Sequence, residues 1–102
     1  MTIRLVSMKI VFKTTFTDRL ARQVKYISFD SPSRAKKFKS DVINQIKKIP
    51  YNPTVYRKSI YFDSDDIRDL IFKGYCIVFR INQIDNVIEV FGFTKYMEKP
   101  TD

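Results

Sequence analysis

The sequence predicts an α+β protein: an N-terminal strand, a two-helix hairpin and a three-stranded antiparallel meander, with the helices packed on one face of the sheet. Residues 67–96 contain three β-rich runs separated by two short turns, and two amphipathic helical patterns precede them. At 102 residues, the chain is long enough for one hydrophobic core. We therefore expect a single domain over residues 1–102, with residues 1–7 and 97–102 as flexible tails.

The N-terminal part is predicted to form a half-buried strand and a first helix. Residues 8–13 place three apolar side chains on one side and two lysines on the other. Met8 is also a candidate start of translation. The first helix is predicted over residues 17–27, with Thr17 as its N-cap. Its apolar stripe consists of Phe16, Leu20, Val24 and Ile27.

A second amphipathic helix is predicted to follow. Ser31 before Pro32 is a typical helix start, because serine caps the first turn and proline fits its first position. Pro50 and Pro53 end the helical pattern. The apolar face consists of Ala35, Phe38, Val42, Ile46 and Ile49. The opposite face carries Lys36, Lys37, Lys47 and Lys48.

The connection to the meander has no clear period. It spans residues 51–66, and a short edge strand is expected within it around residues 59–62. Its three aspartates lack the spacing of a calcium loop and indicate a surface loop. They are Asp63, Asp65 and Asp66.

The meander strands are predicted from their β-rich runs and the turns between them. The turns are Lys73-Gly74 and residues 83–86. This register places Arg80 directly opposite Glu89. The three strands cover residues 67–72, 75–82 and 87–93.

The composition excludes several kinds of site. The chain has no histidine, which excludes histidine-activated nucleophiles, histidine metal sites and histidine general bases. Two glycines leave no glycine-rich phosphate loop. The single cysteine, Cys76, is expected to be a core thiol in a reducing cytoplasm rather than a reactive thiol. We expect no cofactor and no metal and, because no apolar run reaches about 18 residues, no membrane partner.

Positive charge is concentrated in the first part of the chain. Residues 1–62 hold fourteen Lys or Arg and three acidic residues, whereas residues 63–102 hold five and eight. The net charge of +8 therefore comes from the first part. This distribution favours an anionic partner, either nucleic acid or an acidic protein segment. Solvated helix faces are the other interpretation.

Four polar residues of the predicted sheet are candidate catalytic residues. Arginine, lysine and tyrosine can support phosphodiester cleavage, because guanidinium groups stabilise a charged phosphorane and a base can activate a ribose 2′-hydroxyl. They can equally bind phosphate without turnover. For Arg80, the alternative is a structural role in a cross-strand ion pair with Glu89. The candidates are Arg68, Arg80, Lys95 and Tyr96.

A second group of residues is a candidate for binding nucleic acid or a target protein. Tyr56, Arg57 and Lys58 alternate aromatic and basic character, a composition that binds single-stranded RNA. The tyrosine covering an edge of the core is the alternative. Lys47 and Lys48 of the second helix belong to the same group, with a solvated face as the alternative.

Several residues spread over positions 9–96 carry a family resemblance. In the helices and the connection they are Tyr26, Ile27, Ser31, Pro32, Ala35, Phe38 and Pro53. In the meander they are Arg68, Gly74, Tyr75, Ile77, Phe79, Arg80, Asp85 and Ile88. With the order of the elements, this set resembles the RelE/ParE superfamily of bacterial type II toxins.

The resemblance implies a growth-arresting toxin that a cognate antitoxin neutralises. RelE-like members cleave mRNA on the ribosome, whereas ParE-like members poison DNA gyrase and lack the nuclease residues. Where the RelE-like pattern has a catalytic arginine after its Gly-Tyr pair, this chain has Cys76. The resemblance is closer to the ParE-like branch and implies a gyrase poison. A ribosome-dependent mRNA endoribonuclease is the alternative, and the catalytic candidates apply to it alone.

Overall fold

A computed structural model describes residues 8–96, and the two predicted tails lie outside this range. The elements are β1 (Lys9–Phe12), α1 (Thr14–Asp30), α2 (Pro32–Lys47), β2 (Arg57–Lys58), β3 (Ile67–Phe72), β4 (Tyr75–Asn82) and β5 (Val87–Lys95). Two short 3-10 turns, Ile49–Tyr51 and Pro53–Val55, join α2 to β2. The predicted α+β class is confirmed.

The five strands form one sheet in the order β1-β5-β4-β3-β2. Strands β3, β4 and β5 are the predicted antiparallel meander. The prediction was incomplete at both edges, because β1 pairs in parallel with β5 and the short β2 pairs with β3. Pairing between strands distant in the chain depends on tertiary packing. Local patterns do not encode it.

Helix α1 begins at Thr14 rather than at Thr17, so the predicted N-cap was wrong. The Thr17 hydroxyl instead donates to the carbonyl oxygen of Thr14, at 3.3 Å. The true start is fixed by β5, because the Lys13 N–H donates to the Val90 carbonyl oxygen at 2.9 Å. A threonine hydroxyl bonds the backbone both at caps and inside helices, so residue type alone does not locate the cap.

Helix α2 begins as predicted. The Ser31 hydroxyl accepts a hydrogen bond from the Arg34 N–H at 3.2 Å, and Pro32 occupies the first turn. Each residue of the predicted apolar face is at most 9% exposed. The four lysines of the opposite face are exposed.

The two hairpin turns contain residues with positive φ. Lys73 and Gly74 both have positive φ, at 51° and 81°, as a two-residue type I′ turn requires. In the second turn Asn86 has φ 57°. The predicted pairing of Arg80 with Glu89 is confirmed.

The edge strand predicted around residues 59–62 was wrong, since β2 comprises Arg57 and Lys58. The Ser59 N–H still donates to the Ile67 carbonyl oxygen at 2.8 Å. The next donor in the alternating ladder, the Tyr61 N–H, instead donates to the Ser59 hydroxyl at 3.1 Å, so the pairing with β3 ends there. The Ile60 N–H donates to Oδ2 of Asp69 at 3.2 Å.

A β-bulge changes which side chains of β5 face the core. Val78 pairs with Gly92 and Phe79 pairs with Val90, which leaves Phe91 as the extra residue. Both Val90 and Phe93 therefore contribute to the core. A Cβ at position 92 would lie 2.8 Å from Cβ of Val78, so this close approach of the strands requires glycine.

The helices and one side of the sheet enclose the core. Buried helical residues include Phe16, Leu20, Phe38, Val42 and Ile46, and buried strand residues include Leu70, Ile77, Phe79, Ile81, Ile88, Val90 and Phe93. Because side chains alternate along strands, Asp69, Cys76, Val78, Arg80 and Glu89 lie on the other side of the sheet, called the far face below. Among residues 8–96, no helix is long and apolar enough to cross a membrane.

Candidate functional site

The far face contains a buried carboxylate paired with an arginine of the edge strand. Arg57 and Asp69 lie opposite each other in β2 and β3. Nη2 of Arg57 donates to Oδ2 of Asp69 at 3.2 Å, while Oδ1 makes no hydrogen bond among the described residues. The Asp69 side chain is fully buried, whereas 38% of the Arg57 side chain is exposed. A buried carboxylate needs a partner, so the pair fixes Arg57 in place.

The thiol of Cys76 is buried on the same side of the sheet as Asp69. Cys76 is fully buried in β4, the central strand of the sheet. Burial, reinforced by the negative charge of Asp69, raises the pKa of Cys76 to about 12. Such a thiol stays protonated at neutral pH and is a poor nucleophile. The thiol is buried, as predicted, but on the far face rather than in the core between the helices and the sheet.

A second ion pair lies further along the far face. Nη2 and Nε of Arg80 lie 2.7 Å and 2.8 Å from Oε1 of Glu89. Nδ2 of Asn82 donates to Oε2 of Glu89 at 3.3 Å. The hydrogen bond from Arg80 lowers the pKa of Glu89, and the same bond raises the pKa of Arg80, so both groups are ionised at neutral pH. The predicted cross-strand ion pair is confirmed.

Lys95 and Tyr96 lie on opposite sides of the sheet, as expected for successive residues at the end of a strand. The guanidinium carbon of Arg57 lies 5.2 Å from the centre of the Tyr96 ring, within the range of a cation–π contact. Lys95 instead lines a groove with Arg19 and Arg22 of α1. The structure thus joins Tyr96 to Arg57 and separates it from Lys95.

Arg68 holds the long connection against the sheet. Its Nε donates to the carbonyl oxygen of Asp65 at 2.9 Å. Its Nη1 donates to the carbonyl oxygens of Tyr56 at 2.9 Å and Thr54 at 3.2 Å. These bonds satisfy loop carbonyls that no strand partner satisfies. Arg68 pairs with Phe79 and lies on the helix side of the sheet.

The four catalytic candidates therefore do not form one cluster. Arg80 and Tyr96 lie on the far face, whereas Arg68 and Lys95 lie on the helix side. Arg80 is paired with a carboxylate, and Arg68 is bonded to backbone carbonyls. Their role in cleavage stays a prediction.

The other predicted binding residues occupy different environments. The Tyr56 ring packs edge-on against Phe79 at 5.4 Å, and burial raises the pKa of Tyr56. Nζ of Lys58 lies 2.8 Å from Oδ1 of Asp65. Lys47 and Lys48 are exposed and form no ion pair within residues 8–96. Their binding roles stay predictions.

Asp69 is the important site residue that the sequence did not single out. It lies within the run Ile67–Phe72, where an acidic residue usually faces water. Its burial depends on Arg57, which is twelve positions away in the chain. The available signal was the pair of opposite charges in β2 and β3, which becomes informative only when their register is known.

A groove lies near the turn between the two helices. It has a volume of about 630 Å³ and is lined by Tyr26, Phe29 and Phe38, together with charged side chains. Tyr26 and Phe29 are 70% and 78% exposed. Its basic residues, Arg34, Lys37 and Lys73, each form an ion pair, the arginine with Asp30 and both lysines with Asp41. The groove therefore combines exposed aromatic rings with a rim of paired charges.

The fold is similar to those of solved toxin structures. A chain of the chromosomal ParDE toxin–antitoxin system from P. aeruginosa is 15% identical with a TM-score of 0.72, over 89% of this chain and 98% of that one. A mutant of E. coli toxin RelE in the free state is 12% identical with a TM-score of 0.53, over 88% and 84%. The isolated E. coli RelE toxin is 12% identical with a TM-score of 0.50, over 91% and 88%. These similarities establish the fold.

The sequence itself establishes the family. The family described as ParE toxin of type II toxin–antitoxin system, parDE, matches residues 10–95. The chain therefore belongs to the ParE toxin family, as its resemblance to the RelE/ParE superfamily implied. Comparison with curated proteins found no match.

Proposed function

We propose that this chain is the toxin of a ParE-like toxin–antitoxin pair and arrests growth in the cytoplasm by poisoning DNA gyrase. In this role the chain binds a protein target and is not itself an enzyme. The main support is the environment of Cys76. At the position where RelE-like nucleases have a catalytic arginine, this chain has a buried thiol whose pKa is raised to about 12.

The charges of the far face give further support. Cleavage of RNA requires cations that can reach a charged phosphorane. Arg57 and Arg80 are the arginines of this face, and each is bonded to a carboxylate. The far face is therefore better suited to binding a protein surface than to binding an RNA phosphate.

The antitoxin is proposed to occupy the groove near the helical turn. Tyr26 and Phe29 would receive apolar side chains of an extended or helical segment. Acidic residues of that segment would replace the exposed Asp30 and the partly exposed Asp41 as partners of Arg34, Lys37 and Lys73. For contact with the gyrase target, the proposed residues are Tyr56, Arg57, Lys58, Lys47 and Lys48.

Induced expression without an antitoxin tests the proposed function. Growth should stop, the DNA-damage response should be induced and cells should form filaments while total mRNA stays intact. Purified toxin should also inhibit DNA supercoiling by purified gyrase. The matched control is the same chain co-expressed with its antitoxin. Normal growth with intact, folded protein would refute a toxin, and arrest without any effect on gyrase would refute this target.

The alternative function is a ribosome-dependent mRNA endoribonuclease. One contact favours it, since Arg57 lies 5.2 Å from the Tyr96 ring and brings a cation and a phenol together. This function predicts rapid, codon-phased mRNA cleavage after induction. Tyr96→Phe and Lys95→Ala should then slow cleavage, with Lys36→Ala on the exposed helix face as control. Intact mRNA during growth arrest would exclude this alternative.

A further inference from the structure

We infer that Asp69 and Glu89 determine the selectivity of the far face by keeping nucleic-acid phosphates away from Arg57 and Arg80. The inference rests on the proposed function, in which this face serves a protein target rather than RNA. Its starting point is the net charge of +8, which attracts any polyanion.

Both arginines would otherwise be good phosphate ligands. A guanidinium group can donate two parallel hydrogen bonds to a phosphate. The side chains of Arg57 and Arg80 are 38% and 50% exposed, so part of each is within reach of a ligand. Without their acidic partners, they would place two cations on one side of the sheet.

The acidic partners are held in place more firmly than ordinary surface carboxylates. Asp69 is fully buried, and the Ile60 N–H also donates to its Oδ2. Glu89 is 15% exposed and accepts hydrogen bonds from both Arg80 and Asn82. A phosphate approaching either guanidinium therefore meets a fixed negative charge that cannot turn away into solvent.

The helices show that the chain does not neutralise all of its cations in this way. Lys36 and Lys39 of α2 are exposed and make no ion pair within the part of the chain that the structure describes. The pairing of both far-face arginines with fixed carboxylates therefore distinguishes them from these lysines. It would let the face bind a protein in a cytoplasm that contains abundant RNA.

The test measures binding of a fluorescent single-stranded oligouridylate to the purified full chain at several salt concentrations. The main variants are Glu89→Gln and Asp69→Asn, which keep the side-chain size and remove one negative charge. Asp18→Asn is the matched control, because Asp18 is exposed on α1 and forms no ion pair among residues 8–96. It changes the net charge by the same amount.

Glu89→Gln is expected to bind the RNA roughly threefold more tightly at low salt, and the slope of log K against log salt should steepen by about 0.7 for the released arginine. Asp69→Asn should act in the same direction, and the double variant should combine both effects. Asp18→Asn should leave the slope unchanged. Circular dichroism confirms that each variant is folded, and Glu89→Gln alone suffices if the buried substitution unfolds the chain.

Two results would overturn the inference. Unchanged RNA affinity in Glu89→Gln would mean that the carboxylate does not protect Arg80. An equal gain in Asp18→Asn would mean that net charge alone controls the affinity. Neither result would affect gyrase poisoning, whereas codon-phased mRNA cleavage by the wild-type chain would refute the proposed function and leave these affinities unchanged.

Discussion

The helical layer and the far face of the sheet use arginine, lysine and acidic residues in opposite ways. Helices α1 and α2 hold eight Lys or Arg and three Asp, and most of these side chains are exposed. On the far face, Arg57 and Arg80 are each bonded to a carboxylate that is mostly or fully buried. The same residue types therefore leave most helix cations without an acidic partner within residues 8–96 but give both far-face arginines a fixed one.

This difference shows why net charge does not locate a binding site. The basic first part of the sequence predicts an anionic partner, but Arg57 belongs to that part and is held by Asp69. Its charge is largely cancelled at short range. Whether a cation is free to bind a ligand depends on its neighbours in the structure and not on its position in the chain.

The largest effect is expected when the ion pair between Arg57 and Asp69 is broken. Arg57→Ala leaves Asp69 buried with only the Ile60 N–H as a hydrogen-bond donor. The free energy of unfolding should fall by roughly 3 kcal/mol, at the low end for a broken buried pair because Arg57 is partly exposed. Chemical denaturation monitored by circular dichroism measures the loss.

The adjacent residue is the matched control for that experiment. Lys58 also forms an ion pair, with Asp65, but both side chains are largely exposed. Lys58→Ala should lower the free energy of unfolding by less than about 1 kcal/mol. Equal losses for the two variants would show that the burial of Asp69 does not distinguish the far face.

The next largest effect is expected from Gly92→Ala, which tests how closely the strands pack on the far face. In Gly92→Ala the new methyl group would lie 2.8 Å from Cβ of Val78, so the strands must shift. We expect a loss of about 2 kcal/mol in the free energy of unfolding. Gly74→Ala is the comparison, since no atom lies within 4 Å there and only positive φ opposes it, at a cost of about 1 kcal/mol. A smaller loss at position 92 than at position 74 would contradict the close packing.

The smallest expected effect near neutral pH concerns the thiol of Cys76, whose contribution to stability changes only at alkaline pH. Its pKa is about 12 in the folded chain, against an ordinary value of 9.0. The unfolded chain therefore releases this proton first as the pH rises. The contribution of the protonated thiol to the free energy of unfolding is complete below pH 9. It declines by about 1.4 kcal/mol per pH unit as the pH rises toward 12.

Urea denaturation of the wild type and of Cys76→Ala at increasing pH isolates this contribution, because the other titrating groups are common to both chains. The difference in stability should change with pH only above pH 9. In the folded wild type, Cys76 should also fail to react with a thiol reagent at neutral pH. Rapid reaction, or identical pH dependence in both chains, would show that the far face is open to solvent at Cys76.

Much of the fold could be predicted because its signals are local. Ser31 and Pro32 set the start of α2, Lys73-Gly74 sets a turn, and the apolar run of β4 indicates a central strand. The start of α1 was missed because a bond from Lys13 to β5 decides it. The edge strand was misplaced because the Tyr61 N–H donates to the Ser59 hydroxyl instead of continuing the ladder to β3.

The site was less predictable than the fold. The pairing of Arg80 with Glu89 followed from the hairpin register, which a short turn determines. The pair of Arg57 and Asp69 did not, because β2 reaches β3 through a connection without regular structure. The contact between Arg57 and Tyr96 joins β2 to the residue that follows β5, far apart in the chain.

The sequence by itself determined the α+β class, the family, the helical stripes, the meander and the absence of histidine chemistry. These depend on periodicity, turn residues and composition, which act over a few positions. Only the tertiary structure decided that β1 joins β5, that a bulge at Phe91 redirects the end of β5, and that Asp69 is buried against Arg57. The physical reason is that burial and ion pairing depend on which strands become neighbours, and chain folding brings together charges whose separation in sequence carries no such information.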